Sequence, residues 1–207
     1  MTRSRDVDLG VSLFVHRIKV AVAMRERLYA QPYYRLLFGE ADGLPGVVVD
    51  RYADYLVVQI TTAGMEVQRD ALIEALVKVL KPAGILLRND SSVREQEGLA
   101  RYVELAHGQV PADVAVEEGG CRFEVSLGEG QKTGWFFDQA ANRDQLMRYV
   151  SGKRMLDVCS YSGAWSVRAV RAGANAVTAI GLIPTWQERA APGFGQSDGE
   201  LAGGRQG

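Results

Sequence analysis

The stretch RMLDVCSYSGAWSVRAVRAGANAVTAI, residues 154–180, constrains the fold more than any other part of the chain. Arg154 to Val158 is a short apolar run, Cys159 to Gly163 is small and polar, and Ala164 to Ala172 suits a helix. Gly173 then stands where a helix C-cap is wanted, before a second apolar run from Ala176 to Ile180. Strand, turn, helix and strand in that order make the opening βαβ unit of a doubly wound sheet. Ligands of such sheets bind outside the carboxyl ends of the strands, so a cofactor is expected at the turn from Asp157 to Gly163.

That turn is not built for phosphate. A pyrophosphate fingerprint needs three spaced glycines so that backbone amides can close on the charge, and DVCSYSGAW has one. This disfavours an NAD-type dehydrogenase and favours a phosphate-free ligand. Ser160, Ser162 and Gly163 let a backbone approach closely, and Asp157 at the strand end could face a cationic or amino-bearing group. S-adenosylmethionine carries both an ammonium and a sulfonium. The competing reading is that Asp157 and Ser160 only satisfy turn and N-cap amides in a ligand-free α/β protein.

Upstream, residues 12–28 read as a helix with Phe14, Ile18, Ala21 and Leu28 on one face and Arg17, Lys19, Arg25 and Arg27 on others. The basic residues form either a solvated face or a contact for RNA phosphate. Residues 35–38, 47–50 and 55–61 read as strands, joined by GEADGLPG and by a tight Ala53-Asp54 hairpin. Glu40, Asp42 and Asp50 are expected to serve turns and edges, with no second catalytic partner in view. Residues 69–81 form an amphipathic helix with Leu72, Ile73, Leu76, Val77 and Leu80 inward, stopped by Pro82. After a strand at 84–88, NDSSVREQEGL is either a plain loop entering a short helix or a contact for RNA through Arg88, Asn89 and Arg94. A hairpin over 114–127 turns at Glu118-Gly119-Gly120. Asp138 is a candidate N-cap for a helix reaching Val150 with Leu146, Met147 and Val150 inward.

The chain has 207 residues, 47% of them hydrophobic, enough to bury a sizeable core in one or two domains. Its net charge of -1 supplies no general basic footprint, so any nucleic-acid surface must be local. Two cysteines, Cys121 and Cys159, and two histidines, His16 and His107, make neither a disulfide framework nor metal-ligand spacing, and fit a reducing, cytoplasmic setting without a metal. No apolar run reaches the length of a membrane span, and MTRSRDVDLG lacks the apolar core of a signal peptide.

GQKTGWFFDQAANR followed by RMLDVCSYSGAWSVRAVRAGA resembles the paired motifs of class I S-adenosylmethionine-dependent methyltransferases that make 5-methylcytosine in large-subunit ribosomal RNA. RLLFGEADGLPGVVVDRYADYLVVQ is similar to the central domain of the same family. The resemblance implies an α+β central domain followed by the start of an α/β Rossmann-like methyltransferase domain. It implies S-adenosyl-L-methionine as cofactor and ribosomal RNA of the large subunit as partner. Lys132, Thr133, Phe136, Asp138 and Arg143 would form the segment before the cofactor strand, and Asp157, Ser160, Tyr161 and Gly163 would line the cofactor. The aromatic triplet Trp135-Phe136-Phe137 is core or stacking surface by composition, and the motif places Phe136 near the cofactor. The family's nucleophilic cysteine lies well downstream of the cofactor loop. Cys159, inside that loop, is therefore read as a packing or cofactor-wall residue, and no catalytic residue is assigned.

The resemblance fades at both ends. The family's N-terminal RNA-binding domain of the PUA type has no counterpart, and Gly181 replaces the acid expected at the end of the second strand to hold ribose hydroxyls. The glycine-rich ending LIPTWQERAAPGFGQSDGELAGGRQG shows neither structural period and reads as disordered or frameshifted. The expected organisation is a leader and helix over 1–31, the central domain over 32–130, a partial cofactor-binding domain over 131–180 and a tail over 181–207. Two strands and one helix cannot shield their own apolar faces, so loose packing is expected from Lys153 onward, in a fragment without activity. The alternative function is a non-enzymatic RNA-binding or ribosome-associated module.

Overall fold

The computed structural model describes residues 10–128, 133–181, 195–197 and 200–202. They form two compact units. One holds the described residues up to Val114 together with Val125–Phe137, and the other holds Ala115–Glu124 together with the described residues from Asp138 onward. The boundary expected at 130/131 is therefore displaced. The strand ends and the aromatic triplet group with the first unit, and the hairpin tip groups with the second.

The first unit begins with α1 (Val11–Leu28), followed by β1 (Tyr33–Phe38), a 3-10 turn at Gly39–Asp42, β2 (Val47–Tyr52) and β3 (Tyr55–Ile60). Next come α2 (Ala63–Glu66), α3 (Arg69–Leu80), β4 (Gly84–Asn89), α4 (Val93–Gln96) and β5 (Tyr102–Gly108). The strands make one sheet in the order β1-β2-β3-β4-β5. All pairs are antiparallel except β3 with β4, and that parallel pair needs the crossover that α2 and α3 supply. Alternation decides the faces: Val47 and Val49, Leu56 and Val58, and Ile85 and Leu87 are buried in one core with Phe14 and Ile18 of α1 and Leu72 and Leu76 of α3. Burying each such side chain contributes about 1.5–3 kcal/mol. Ala75 joins that core, while Ile73, Val77 and Leu80 are only half-buried at its margin.

The opposite face of this sheet carries buried polar side chains. Asp50 and Arg88 are buried, and Leu127 and Thr133 of the same unit meet them. Thr133 Oγ1 donates to Asp50 Oδ2 at 2.5 Å, Tyr52 OH donates to the Thr133 carbonyl at 2.9 Å, and Arg88 Nη1 donates to the Leu127 carbonyl at 2.5 Å. Asp50 is thus a buried acceptor, where turn and edge chemistry was expected. Asp42 keeps its turn role, accepting from the Phe38 amide, and also forms a bidentate pair with Arg25 of α1.

β6 (Asp113–Glu118) and β7 (Cys121–Ser126) form a hairpin whose turn residues Gly119 and Gly120 have φ of 57° and 71°. Two left-handed positions in a row are what a two-residue hairpin loop requires. The 3-10 turn Phe137–Gln139, which starts on the last residue of the first unit, leads into α5 (Ala140–Met147) of the second, shorter than the helix expected from Asp138 to Val150. Asp138 is exposed within that turn and no side chain caps α5, so the N-cap expectation fails there.

β8 (Arg154–Val158), α6 (Ala164–Arg171) and β9 (Ala176–Ile180) then form the expected βαβ unit, with β8 and β9 paired in parallel. α6 covers one sheet face: Ala169 and Val177 are buried with Val150 and Ala174, and Leu146 and Met147 pack beside them. The other face stays open, with Leu156, Val158 and Ile180 at 61%, 60% and 54% exposure, which is the loose packing expected of so small a parallel sheet. The tail is not wholly without structure as expected. β10 (Gly195–Ser197) and β11 (Glu200–Ala202) pair as a hairpin, and β11 adds antiparallel to β9. Backbone amides and carbonyls on a free strand edge accept a partner whatever the side-chain pattern, which is why periodicity gave no sign of it.

Candidate functional site

The turn after β8 has an unusual backbone. Cys159, Tyr161 and Gly163 have φ of 63°, 47° and 69°, so left-handed residues alternate along it and two of them carry side chains. Such positions cost free energy and persist where the surroundings impose them. Two amides are fixed by the next strand, since Cys159 N and Ser160 N donate to the Ile180 carbonyl at 2.6 Å and 3.2 Å. The Gly163 amide donates to the Ser160 carbonyl at 2.8 Å, and α6 starts immediately afterwards.

Asp157 is buried at the end of β8, and Ser166 Oγ of α6 donates to its Oδ2 at 2.6 Å. Its carboxylate braces strand against helix. Burial pushes its pKa up, and the hydrogen bonds from Ser166 oppose that rise without cancelling it. A carboxyl whose folded pKa lies above its unfolded value near 3.8 stabilises the fold fully below that pH and loses the contribution as pH rises through the raised value. Asp157→Asn is therefore expected to melt higher than the parent at pH 7, with the difference shrinking towards pH 3.5. Paired melting curves across that range check it, and a variant less stable at pH 7 than at pH 3.5 relative to its parent contradicts it.

Ser160 is 4% exposed, and its hydroxyl has no hydrogen-bond partner among the described residues. A buried hydroxyl left unpaired is costly, and a ligand atom is one way to satisfy it. Gly181 lies against the same residue: a Cβ there would fall 2.9 Å from both the amide nitrogen and the hydroxyl of Ser160. The acid expected at that position would displace the turn, so glycine at 181 is a packing requirement of this loop.

The other expected site residues divide between the units. Thr133, tied to Asp50, and half-buried Phe136 belong to the first unit, and Lys132 lies outside the described residues. Trp135 and Phe137 are buried core residues, with Phe137 tilted against Tyr52 at 5.2 Å between ring centroids. Asp138, Arg143, Asp157, Ser160, Tyr161 and Gly163 belong to the second unit. Arg143 is buried in a bidentate pair with Glu118, at 2.5 Å and 2.6 Å, and its guanidinium lies over the Trp165 ring. Cys159 is exposed, which removes the packing half of its expected role. Cys121 is buried, and burial pushes its thiol pKa up, away from the thiolate a nucleophile needs.

Arg88, Asn89 and Arg94, the expected alternative contacts for RNA, are all buried and joined to protein acceptors or donors. The loop reading of that segment holds. Sequence reasoning missed Glu118, Asp144 and Arg168: Glu118 accepts from Arg168 Nη1 at 2.8 Å, and Arg168 also pairs with Asp144.

Residues 101–193 match the family described as S-adenosylmethionine-dependent methyltransferase. This stretch belongs to that methyltransferase family. The curated relatives matched include proteins named Ribosomal RNA large subunit methyltransferase I. That of Aeromonas salmonicida is 37% identical over 188 residues, covering 89% of this chain and 48% of the relative. That of Photobacterium profundum is 39% identical over 176 residues, covering 83% of this chain and 44% of the relative. The chain spans about half the length of the curated relatives it matches. Among solved structures, a Streptococcus mutans protein described as a candidate SAM-dependent methyltransferase is 26% identical with a TM-score of 0.76, covering 89% of this chain and 48% of the other. A candidate methyltransferase solved as a complex with SAH matches to the same degree. The βαβ unit of this methyltransferase stretch is therefore the Rossmann-like element that the turn spacing predicts, with the turn at the carboxyl end of its first strand.

Proposed function

We propose that this chain is part of an S-adenosylmethionine-dependent methyltransferase acting on large-subunit ribosomal RNA, with its donor bound at the turn Asp157–Gly163. The observation that carries this reading is 37% to 39% identity, over 89% and 83% of the chain, to proteins named for that activity. The domain arrangement proposed is the α+β sheet of the first unit followed by the Rossmann-like βαβ unit of the second. The finer reading is methylation at the 5-position of cytosine, in the cytoplasm. Among the described residues no helix is long and apolar enough to cross a membrane.

The residues present suit the donor in part. Ser160 offers the unsatisfied buried hydroxyl, Tyr161 and Gly163 shape the left-handed turn, and Asp157 holds that turn to α6 through Ser166. Thr133, Phe136, Asp138 and Arg143, with Lys132, are proposed as the segment flanking the donor. When bound, S-adenosylmethionine supplies an electrophilic methyl group on sulfonium. The chain's own contribution is to bind and orient, and neither cysteine is assigned as a nucleophile.

Calorimetric titration of the purified chain with SAH tests the donor site. Saturable binding is expected, weakened about tenfold or more, or about 1.4 kcal/mol, by Asp157→Ala, which removes the bond from Ser166. An absence of heat at millimolar SAH overturns the reading. Labelled methyl transfer to protein-free large-subunit RNA, with mass analysis of the product nucleoside, tests the substrate. A product other than 5-methylcytidine removes the cytosine assignment alone. The rival RNA-binding module predicts a steep salt slope in RNA binding together with no affinity for SAH.

A further inference from the structure

We infer that Glu118 is a positioning residue for the donor-binding turn, acting through α6. The inference rests on the reading of that turn as the S-adenosylmethionine site.

Glu118 closes β6 just before the Gly119-Gly120 turn, and its side chain is largely buried. Its carboxylate accepts from Nε and Nη2 of Arg143 on α5 and from Nη1 of Arg168 on α6. Arg168 also reaches Asp144 of α5, and Arg143 lies 5.8 Å from the ring centroid of Trp165, the second residue of α6. One carboxylate thus joins the hairpin tip, α5 and α6. Without it, Arg143 and Arg168, both buried, would each lose a carboxylate acceptor, and the Asp144 that Arg168 keeps is exposed. A buried charge that loses its partner is strongly unfavourable, so the helices would have to move.

The hairpin tip is shaped for this contact. A Cβ on Gly119 would overlap the guanidinium of Arg168, and one on Gly120 would come within 3.0 Å of that of Arg171. The glycine pair therefore serves both the turn type and the close approach to α6.

Movement of α6 reaches the donor turn directly. Gly163 is the N-cap of α6, and Ser166 in its first turn carries the hydrogen bond to Asp157. Rotating the helix breaks that bond, releases the left-handed backbone at Cys159 and Tyr161, and shifts the Ser160 hydroxyl. Sites of this kind depend on groups that hold the contacting residues within a fraction of an ångström.

The test compares the full chain with Glu118→Gln and Glu118→Asp, by SAH calorimetry and by amide resonances recorded without ligand. Glu118→Gln is expected to weaken SAH binding about tenfold to a hundredfold, the penalty for misplacement on the ångström scale. It is also expected to shift the amides of Tyr161, Ser162 and Gly163, and Glu118→Asp is expected to restore both in part. A variant that melts lower yet binds SAH like the parent, with those amides unmoved, overturns the inference, because Glu118 would then only stabilise the unit. If Glu118→Gln does not fold, Arg168→Lys, which keeps the Glu118–Arg143 pair, must give the same amide shifts. If the parent itself fails to bind SAH, the methyltransferase reading falls, while the ligand-free amide shifts still decide whether Glu118 sets the turn.

Discussion

Replacing Arg94 by methionine is expected to destabilise the first unit by about 3–5 kcal/mol, the usual cost of removing one partner from a buried ionic network. Arg94 is 1% exposed and closes three segments at once. Its Nη1 donates to the Ile60 carbonyl at the end of β3 and to Glu66 of α2 at 2.9 Å, and its Nε donates to the Ala100 carbonyl at 2.8 Å. Its guanidinium also lies over the Tyr102 ring at 5.0 Å, and Tyr102 OH donates to the same Glu66 at 2.7 Å. Methionine roughly fills the volume but withdraws a donor from the carbonyls of buried Ile60 and exposed Ala100, and an unsatisfied group costs about 1–3 kcal/mol where it is buried.

The pH dependence carries a second signature. Burial works to raise the Glu66 pKa, but the hydrogen bonds from Arg94 and Tyr102 outweigh it and hold the carboxyl below its ordinary 4.5. Stability from a lowered carboxyl is present above that value and lost as pH falls through the lowered one. Methionine at 94 should weaken that acid-sensitive contribution. Urea unfolding at pH 7 and pH 4 measures both effects. A loss under about 1 kcal/mol, a typical surface value, would mean that water replaces the guanidinium.

Asp50→Ala is expected to cost about 3 kcal/mol, the lower end of that range because Arg35 keeps some access to water. Asp50 is fully buried and accepts from Arg35 Nε and Nη2 at 2.9 Å and 3.0 Å as well as from Thr133 Oγ1. The Thr133 bond, with that from Tyr52 to the Thr133 carbonyl, is what fastens the motif segment to the sheet. A double-mutant cycle with Thr133→Val isolates it. A coupling of about 0.5–3 kcal/mol is expected for residues in one network, and strict additivity would show that Thr133 is held by its backbone alone.

Much of this architecture is written locally. The spacing of Phe14, Ile18 and Ala21 specifies α1, and that of Leu72 and Leu76 specifies α3, because an apolar stripe must find a core. Gly119 and Gly120 specify the hairpin turn, since both positions require positive φ. The alternation of strand, small-residue turn and helix from Arg154 to Ile180 specifies the βαβ unit and locates the candidate site.

Other features were not legible. β5 escaped notice because it is an edge strand with Val103 and Leu105 exposed, and Tyr102 and Ala106, which pack against the core, are only partly buried. Asp50 read as an edge acid because nothing near it in the chain announces that Thr133, 83 residues away, will bond to it. Arg143 stood in a motif beside a candidate cofactor strand, yet its guanidinium is taken by Glu118.

Sequence alone determined α1, α3, α6, the hairpin turn and the position of the turn after β8, because periodicity and turn preference act over a few residues. Only the tertiary structure decided which charges are consumed internally. Glu118 meets Arg143 and Arg168 across 25 and 50 residues of chain, and Asp50 meets Thr133 across 83. Such partners are selected when packed elements exclude water and every buried charge must find its complement, a condition that no local pattern encodes.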